Sequence, residues 1–327
     1  MASVEIDANW EQRRVLVTGA TGLLGGWLVR DLVDRGAEVV AIVRDSVPRT
    51  FIHEEGLFDR ITVCRGGICD AGLVLRVMAE YEVQTVFHLA AQTIVPIANR
   101  SPLSTFETNI AGSWTVLEAA RLTGTVGEVV VASSDKAYGQ SDELPYLENY
   151  PLQGRTPYDV SKSCADLIAQ AYAHTWSLNV CIVRCGNLVG GGDRNFNRLV
   201  PGVIRDVMSG RRPVLRSDGR SVRDYIYVED AARAYLRLAE AMRSDPSLGG
   251  VPFNFSLESP VSALAVTQMI LELMHCDLQP DIQSTACGEL AEQYLDASAA
   301  HTRLGWQPEV SLREGLTRTV AWYAAHG

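Results

Sequence analysis

Arg14-Val15-Leu16-Val17-Thr18-Gly19-Ala20-Thr21-Gly22-Leu23-Leu24-Gly25 is the stretch on which the reading of this chain turns. An apolar, β-branched run leads straight into three spaced glycines, and Leu24, Leu28 and Leu32 then recur at helical spacing. Glycines so placed allow a tight turn and a close backbone approach to a pyrophosphate. The helix that follows presents free N–H groups and the positive end of its dipole. A glycine pattern alone is weak, but one set between a buried strand and a helix is specific. The expectation is a dinucleotide site with Gly19, Thr21, Gly22, Leu23 and Leu24 along the phosphates.

Further apolar runs of strand length fall at 38–43, 61–65, 85–89, 128–132 and 179–184. Most are nearly continuous rather than alternating, as expected for strands covered on both faces. Helix-period segments separate them, for example Val116, Leu117, Ala120 and Arg121 after Asn109. Strict alternation predicts an α/β fold of Rossmann type, a doubly wound parallel sheet with right-handed crossovers. The alternation loosens after Asn187, where Gly190–Gly192, Pro201, Gly210 and Pro213 break an arginine-rich stretch. Helical runs at 228–242 and 264–274 flank a short strand at 253–256. These features predict a smaller C-terminal substrate lobe interleaved with the main domain. The dinucleotide-binding domain would take 1–185 and about 222–258, and the lobe about 186–221 and 259–327. No internal repeat is visible.

The net charge of −10 disfavours nucleic acid, whose binding rests on cationic neutralisation of phosphates. Residues 1–14 contain no apolar signal core, and no segment approaches the roughly 18 apolar residues that span a bilayer. Seven cysteines without framework spacing fit a reducing compartment, so a cytoplasmic protein is expected, with no membrane partner. Cys181 and Cys185 read as buried thiols on a strand, and no metal site is expected.

Of 29 basic residues only two are lysine, Lys136 and Lys162. The run at 128–132 delivers Ser133-Ser134-Asp135-Lys136-Ala137-Tyr138-Gly139 to the edge of the sheet where open α/β folds bind ligands. Tyr158-Asp159-Val160-Ser161-Lys162 opens an apolar-periodic helix, which puts Tyr158 and Lys162 on one face, a turn apart. A tyrosine acting as a base near neutrality must lose about 3 pH units from its ordinary ~10, roughly 4 kcal/mol. One cation about 4 Å away at an effective dielectric near 20 supplies about that. Ser134 is then placed to hold a substrate hydroxyl whose proton Tyr158 removes, while an oxidised nicotinamide takes hydride. Both scarce lysines fall at this presumed site.

About 20 residues beyond the glycines, NAD enzymes carry a carboxylate for the adenosine ribose. Here the second run ends Ala41-Ile42-Val43-Arg44-Asp45, with Val43 in the expected place. The Arg44 guanidinium suits a 2′-phosphate and favours NADP. In the competing reading Arg44 is solvated and Asp45 binds the ribose of NAD.

With these residues in view, the chain resembles the extended short-chain dehydrogenase/reductases of the nucleotide-sugar epimerase/dehydratase group over essentially its whole length. The carrying motifs are residues 18–25, His88-Leu89-Ala90-Ala91-Gln92, residues 133–139 and 158–162, Arg184-Cys185-Gly186-Asn187, Arg223-Asp224-Tyr225-Ile226-Tyr227-Val228 and Leu304-Gly305-Trp306-Gln307-Pro308. The resemblance implies a tightly bound NAD or NADP, regenerated each turnover, contacted also by Ile68, Leu89, Ala90, Ala91, Tyr158 and Lys162. It implies a nucleotide-diphosphate sugar as substrate, met by Gln92 and Ser134, with Asn187 and Arg223 on the diphosphate. A guanidinium fork suits that doubly charged group. Arg194 and Arg198 are weaker candidates beside a solvated role, and His88 reads as structural. One departure stands out: the family's usual aspartate at the adenine is Gly67 here.

The resemblance also bears on the reaction. Simple 4-epimerases of the group carry small or apolar residues after the catalytic serine. The 4,6-dehydratases carry an acid/base pair, and the CDP-glucose type, with the GDP-mannose type nearby, resembles this chain in its Asp135-Lys136. Elimination across C5–C6 needs one group to remove the C5 proton and one to protonate the leaving hydroxyl. A 4,6-dehydratase is therefore expected, with an epimerase as the alternative. A plain dehydrogenase or decarboxylase and a non-catalytic NADP-sensing protein are remoter readings. Helices expected near 102–122 and 157–176 carry apolar residues on more than one face, among them Trp114, Leu117, Leu167, Ala171 and Tyr172. The resemblance implies that they pair across a homodimer.

Overall fold

Strand β1 (Arg14–Thr18) is apolar on both faces because both faces are covered. The structure, a computed structural model, describes residues 8–285 and 290–327. After β1 come β2 (Glu38–Val43), β3 (Thr62–Arg65), β4 (Thr85–His88), β5 (Glu128–Ala132) and β6 (Val180–Cys185). The short strands β7 (Asn187–Val189), β8 (Val214–Leu215), β9 (Val222–Arg223) and β10 (Tyr225–Tyr227) follow. The remaining strands are β11 (Pro252–Phe255), β12 (Val261–Ser262), β13 (Asp281–Ile282) and β14 (Glu292–Gln293).

Seven of these strands form one parallel sheet in the order β3-β2-β1-β4-β5-β6-β11. The order reverses between β1 and β4, and in such sheets the crevice beyond the strand ends at that point receives the ligand. Val15 and Val17 pack in the cluster that holds Leu28 and Leu32 of helix Leu23–Asp34 and Leu236 of helix Val228–Ser244. Leu16, between them, packs with Val74, Val77, Val116 and Leu117 on the other face. Each such burial stabilises the fold by about 1.5–3 kcal/mol.

The remaining strands build the cover of the crevice. β7 pairs with β10, β13 with β8, and β9 lies between β12 and β14. The chain returns to the main sheet at β11, where Phe253 stands opposite Val183. Among the described residues no helix is long and apolar enough to cross a membrane.

Most element bounds agree with expectation to within a residue, and two places are instructive. The sixth strand starts at Val180, since the Asn179 side-chain amide donates to Gly127 O and Met242 O and anchors the entry instead. The helix expected near 102–122 is Pro102–Phe106, a wide π-helical turn at Glu107–Ala111, and then Gly112–Thr123. Such turns cluster at functional sites, and this one carries Asn109.

Candidate active site

The glycine loop is built to leave backbone exposed to an anion. Gly19 has φ +75°, and a Cβ there would lie 2.7 Å from Ala90 N. A Cβ on Gly25 would lie 2.1 Å from Gly19 O, so no larger residue fits either place. Gly22 is the N-cap of helix Leu23–Asp34 and offers no side-chain cap, which leaves the first N–H groups of the helix for a ligand. Leu89 N and Ala90 N both donate to Thr18 Oγ1 at 3.2 Å, fastening the ends of β1 and β4 together under the loop. This cradle fits a dinucleotide pyrophosphate.

At the end of β2, Arg44 Nε donates to Asp45 Oδ2 at 2.7 Å, and both side chains are more than half exposed. Ile68 is buried against Gly112, where a Cβ would meet its Cδ1 at 2.5 Å. A Cβ on Gly67 would meet nothing within 4 Å, so the place of the family's aspartate is open space.

His88 belongs to a buried relay rather than to the cleft. Its Nδ1 lies 2.8 Å from Thr18 Oγ1, and its Nε2 lies 3.1 Å from Ser113 Oγ. The Ser113 hydroxyl donates to Asn109 O, so its oxygen accepts from the imidazole and the neutral Nε2–H tautomer follows. Burial, with the Lys162 charge second, draws the imidazole down to about 3. Asn109 itself accepts from Gln92 N at 2.7 Å and donates to Gln92 O and Ser161 Oγ. It braces the strand-end loop against the helix bearing Tyr158. The Gln92 side-chain oxygen accepts from Ile94 N and is used within its own loop.

Helix Pro157–Trp176 starts where it does because Thr156 and Asp159 form a capping box and Pro157 takes the first helical position. Tyr158 and Lys162 therefore lie in its first turns, facing the end of β5. Lys162 is buried and its Nζ donates to Ala132 O at 2.7 Å; burial lowers it to about 8. Tyr158 is pushed up to about 12 by burial, against which Arg198 and a hydrogen bond with Ser134 act. Arg198 is thus a cation acting on this phenol that the spacing did not point to, while the Lys162 ammonium donates to the β5 carbonyl.

Ser134 caps a 3-10 turn over Asp135–Tyr138, and its hydroxyl donates to Asp135 Oδ1 at 2.9 Å. Asp135 Oδ2 lies 3.3 Å from Lys136 Nζ. The turn is supported from below: Arg184 forks onto Asp166 at 2.8 and 3.0 Å and donates to the Tyr138 hydroxyl. The carboxylate is buried with the pair's backbone, while Lys136 keeps a quarter of its side chain exposed.

From the cover, Asn187 N donates to Asp224 O, and the half-buried Arg223 donates to Val222 O and Leu290 O. Arg198 pairs with Asp193 and reaches Thr93 Oγ1. Arg194 is not brought to this cluster. Its guanidinium bonds Arg49 O and Glu54, and it lies over the Trp322 ring, holding the C-terminal helix. Burial raises Asp224 to about 6; it bonds Ser256, and one carboxylate oxygen is buried without a partner. Gln293 on β14, fully buried, meets both Lys136 Nζ and Asp135 O. Asn109 and Gln293 had no local signal in the sequence. Both are single polar residues whose partners lie far along the chain.

A glycine-cradled crevice with a Ser-Tyr-Lys cluster at its floor defines a nucleotide-dependent oxidoreductase-type site on a Rossmann sheet. The chain belongs to the NAD dependent epimerase/dehydratase family, whose model matches residues 15–251. It is 32% identical to the CDP-glucose 4,6-dehydratase of Salmonella typhimurium, across 98% of this chain and 93% of that protein. The crystal structure of a dTDP-glucose 4,6-dehydratase from Streptomyces venezuelae with NAD bound superposes with TM-score 0.85, at 28% identity, covering 95% of this chain and 97% of that one. The UDP-glucose 4-epimerase of Thermotoga maritima, solved with UDP-glucose, gives TM-score 0.86 at 26% identity, over 95% of this chain and 99% of that one.

Proposed function

We propose that this protein is a nucleotide-sugar 4,6-dehydratase acting by internal oxidation at C4. The observation that carries the reading is the Asp135–Lys136 ion pair, set one residue beyond Ser134 and hydrogen-bonded to it. Ser134 orients the C4 hydroxyl and Tyr158 removes its proton. When bound, the nicotinamide supplies hydride acceptance at C4 and later hydride return. Lys162 and Arg198 hold positive charge near the phenol. Asp135 and Lys136 move the C5 proton and protonate the leaving C6 hydroxyl. Asn187 and Arg223, and less directly Gln92, hold the nucleotide diphosphate. In this reading residues 8–185 with 222–258 form the cofactor wall of the cleft, and 186–221 with 259–327 the substrate wall. A panel of nucleoside-diphosphate glucoses tests it: the product mass falls by one water. An unchanged mass with altered retention indicates the second reading, a 4-epimerase, which the fold of the Thermotoga epimerase supports equally.

The cofactor is read as tightly held and regenerated within each turnover. Its finer identity rests on the exposed Arg44–Asp45 pair. Arg44 supports NADP, because a 2′-phosphate would replace Asp45 as the partner of the guanidinium. Asp45 supports NAD, as does the NAD held by the Streptomyces neighbour. Arg44→Ala is expected to weaken NADP(H) by about tenfold or more and NAD(H) little, since a charge-assisted hydrogen bond contributes about 1.5–3 kcal/mol. Equal losses by calorimetry would hand the ribose to Asp45.

A homodimer belongs to the same reading. Trp114 and Leu122 on one helix and Leu167 and Trp176 on another are each about half exposed. Helix Gly112–Thr123 packs beside Pro157–Trp176, so these side chains lie on neighbouring elements. An apolar surface of this kind supports pairing with a second copy. Light scattering at micromolar protein is expected to give the mass of two chains; the mass of one overturns it. We also infer a cytoplasmic setting, in keeping with Cys64, Cys181 and Cys185 being buried free thiols.

A further inference from the structure

The primary amide of Gln293 is fully buried, and both of its ends are used on one feature of the opposite wall. Its Oε1 accepts from Lys136 Nζ, and its Nε2 donates to the backbone oxygen of Asp135 at 3.0 Å. The orientation is chemically forced. An ammonium can only donate and a carbonyl oxygen can only accept, so a flipped amide would set donor against donor and acceptor against acceptor. A side chain kept only for packing would not need to match both.

Lys136 has three N–H donors. Asp135 Oδ2 and Gln293 Oε1 take two of them, and one remains for an oxygen of a bound sugar. The frame that brings Gln293 is also informative. It sits on β14 in register with Arg223 of β9, and Arg223 donates to Leu290 O just upstream on the same segment. The candidate diphosphate arginine and the residue that grips Lys136 therefore share one short ladder.

We propose that Gln293 is a positioning residue for the Asp135–Lys136 pair, holding the lysine in line for proton transfer to the substrate while the adjoining ladder holds the diphosphate. The proposal rests on the reading of Lys136 as a proton-transfer group. Besides Gln293, the titratable groups that act on this pair are Asp159, at the start of helix Pro157–Trp176, Asp224, next to β10, and Tyr146, Tyr158 and Cys185, which face Asp135.

The scarcity of lysine makes the test direct. With lysine isotopically labelled, the holoenzyme shows two side-chain signals by nuclear magnetic resonance, assigned by their loss in Lys136→Met and Lys162→Met. In Gln293→Leu the Lys136 ammonium loses a neutral acceptor, so its titration is expected to move to lower pH while that of Lys162 stays. In the isosteric Gln293→Glu a carboxylate replaces the amide, and the titration moves up. Cofactor reduction by substrate should survive in Gln293→Leu, while dehydration slows by about tenfold to a hundredfold, the usual cost of a misplaced reacting group. An unmoved Lys136 signal in both variants overturns the proposal, and so does an equal loss of oxidation and dehydration, which marks a structural residue. Should Lys136→Met itself dehydrate at the wild-type rate, the reading of Lys136 as a proton-transfer group falls. The titration still decides whether Gln293 governs Lys136.

Discussion

Tyr158→Phe is expected to abolish turnover, by about 10²–10⁴-fold, while nucleotide-sugar binding stays nearly unchanged. Burial outweighs Arg198 and a hydrogen bond with Ser134 and holds the phenol at about 12, so without further charge Tyr158 keeps its proton at neutral pH. Lowering it to about 7 takes roughly 7 kcal/mol at about 1.4 kcal/mol per pH unit. A single cation about 4 Å away contributes about 4 kcal/mol at an effective dielectric near 20. One lysine is therefore not enough. With Arg198 already acting, the phenol needs the added field of Lys162 and of the positive charge that an oxidised nicotinamide carries. Phenylalanine keeps the ring in its place and removes only the oxygen. Ser134 still accepts from Lys136 N, so the turn that presents the acid/base pair keeps its capping contact. Single-turnover cofactor reduction, with calorimetry of nucleotide-sugar binding, checks both halves. Turnover within about tenfold of the parent would remove Tyr158 from the role of base.

The sheet was legible because its strands are buried on both faces and so read as unbroken apolar runs. The dinucleotide loop was legible for a different reason. Gly19 and Gly25 have no room for a side chain, and that requirement leaves a local mark. Ser134, Asp135, Lys136, Tyr158 and Lys162 sit in two short segments whose spacing alone suggests chemistry. What spacing could not show is how the two segments meet. Lys162 donates to the Ala132 carbonyl, and Arg198, some 40 residues from Tyr158, brings a further charge to the phenol. The same limit hid Gln293, whose partner Lys136 is 157 positions away. Arg194 shows the converse. Its place in an arginine-rich loop pointed to substrate, yet the fold engages it on Trp322 and Glu54. An arginine does not announce which anion or ring it will meet.

Lys136→Met is expected to separate internal oxidation from the steps that follow it. Oxidation at C4 depends on Ser134, Tyr158, Lys162 and the nicotinamide, none of which is the substituted residue. Methionine keeps much of the bulk of lysine but carries neither its charge nor its proton. Asp135 loses its partner at Oδ2 but still accepts from Ser134 at Oδ1, so the carboxylate stays anchored. Given substrate, the variant should reduce its cofactor and then stall. The near-ultraviolet absorbance of reduced nicotinamide should persist, and a 4-keto sugar that has not lost water should be recoverable. Product formation should fall by about 10²–10⁴-fold, the usual cost of removing a general acid or base. In the parent enzyme hydride returns to the sugar, so the same absorbance is transient. Completion of the reaction at near the parent rate would make Lys136 a structural partner of Asp135 and Gln293. The elimination reading would then lose its support. A simple 4-epimerase, which needs no acid/base pair beyond Ser134, would be the function left standing.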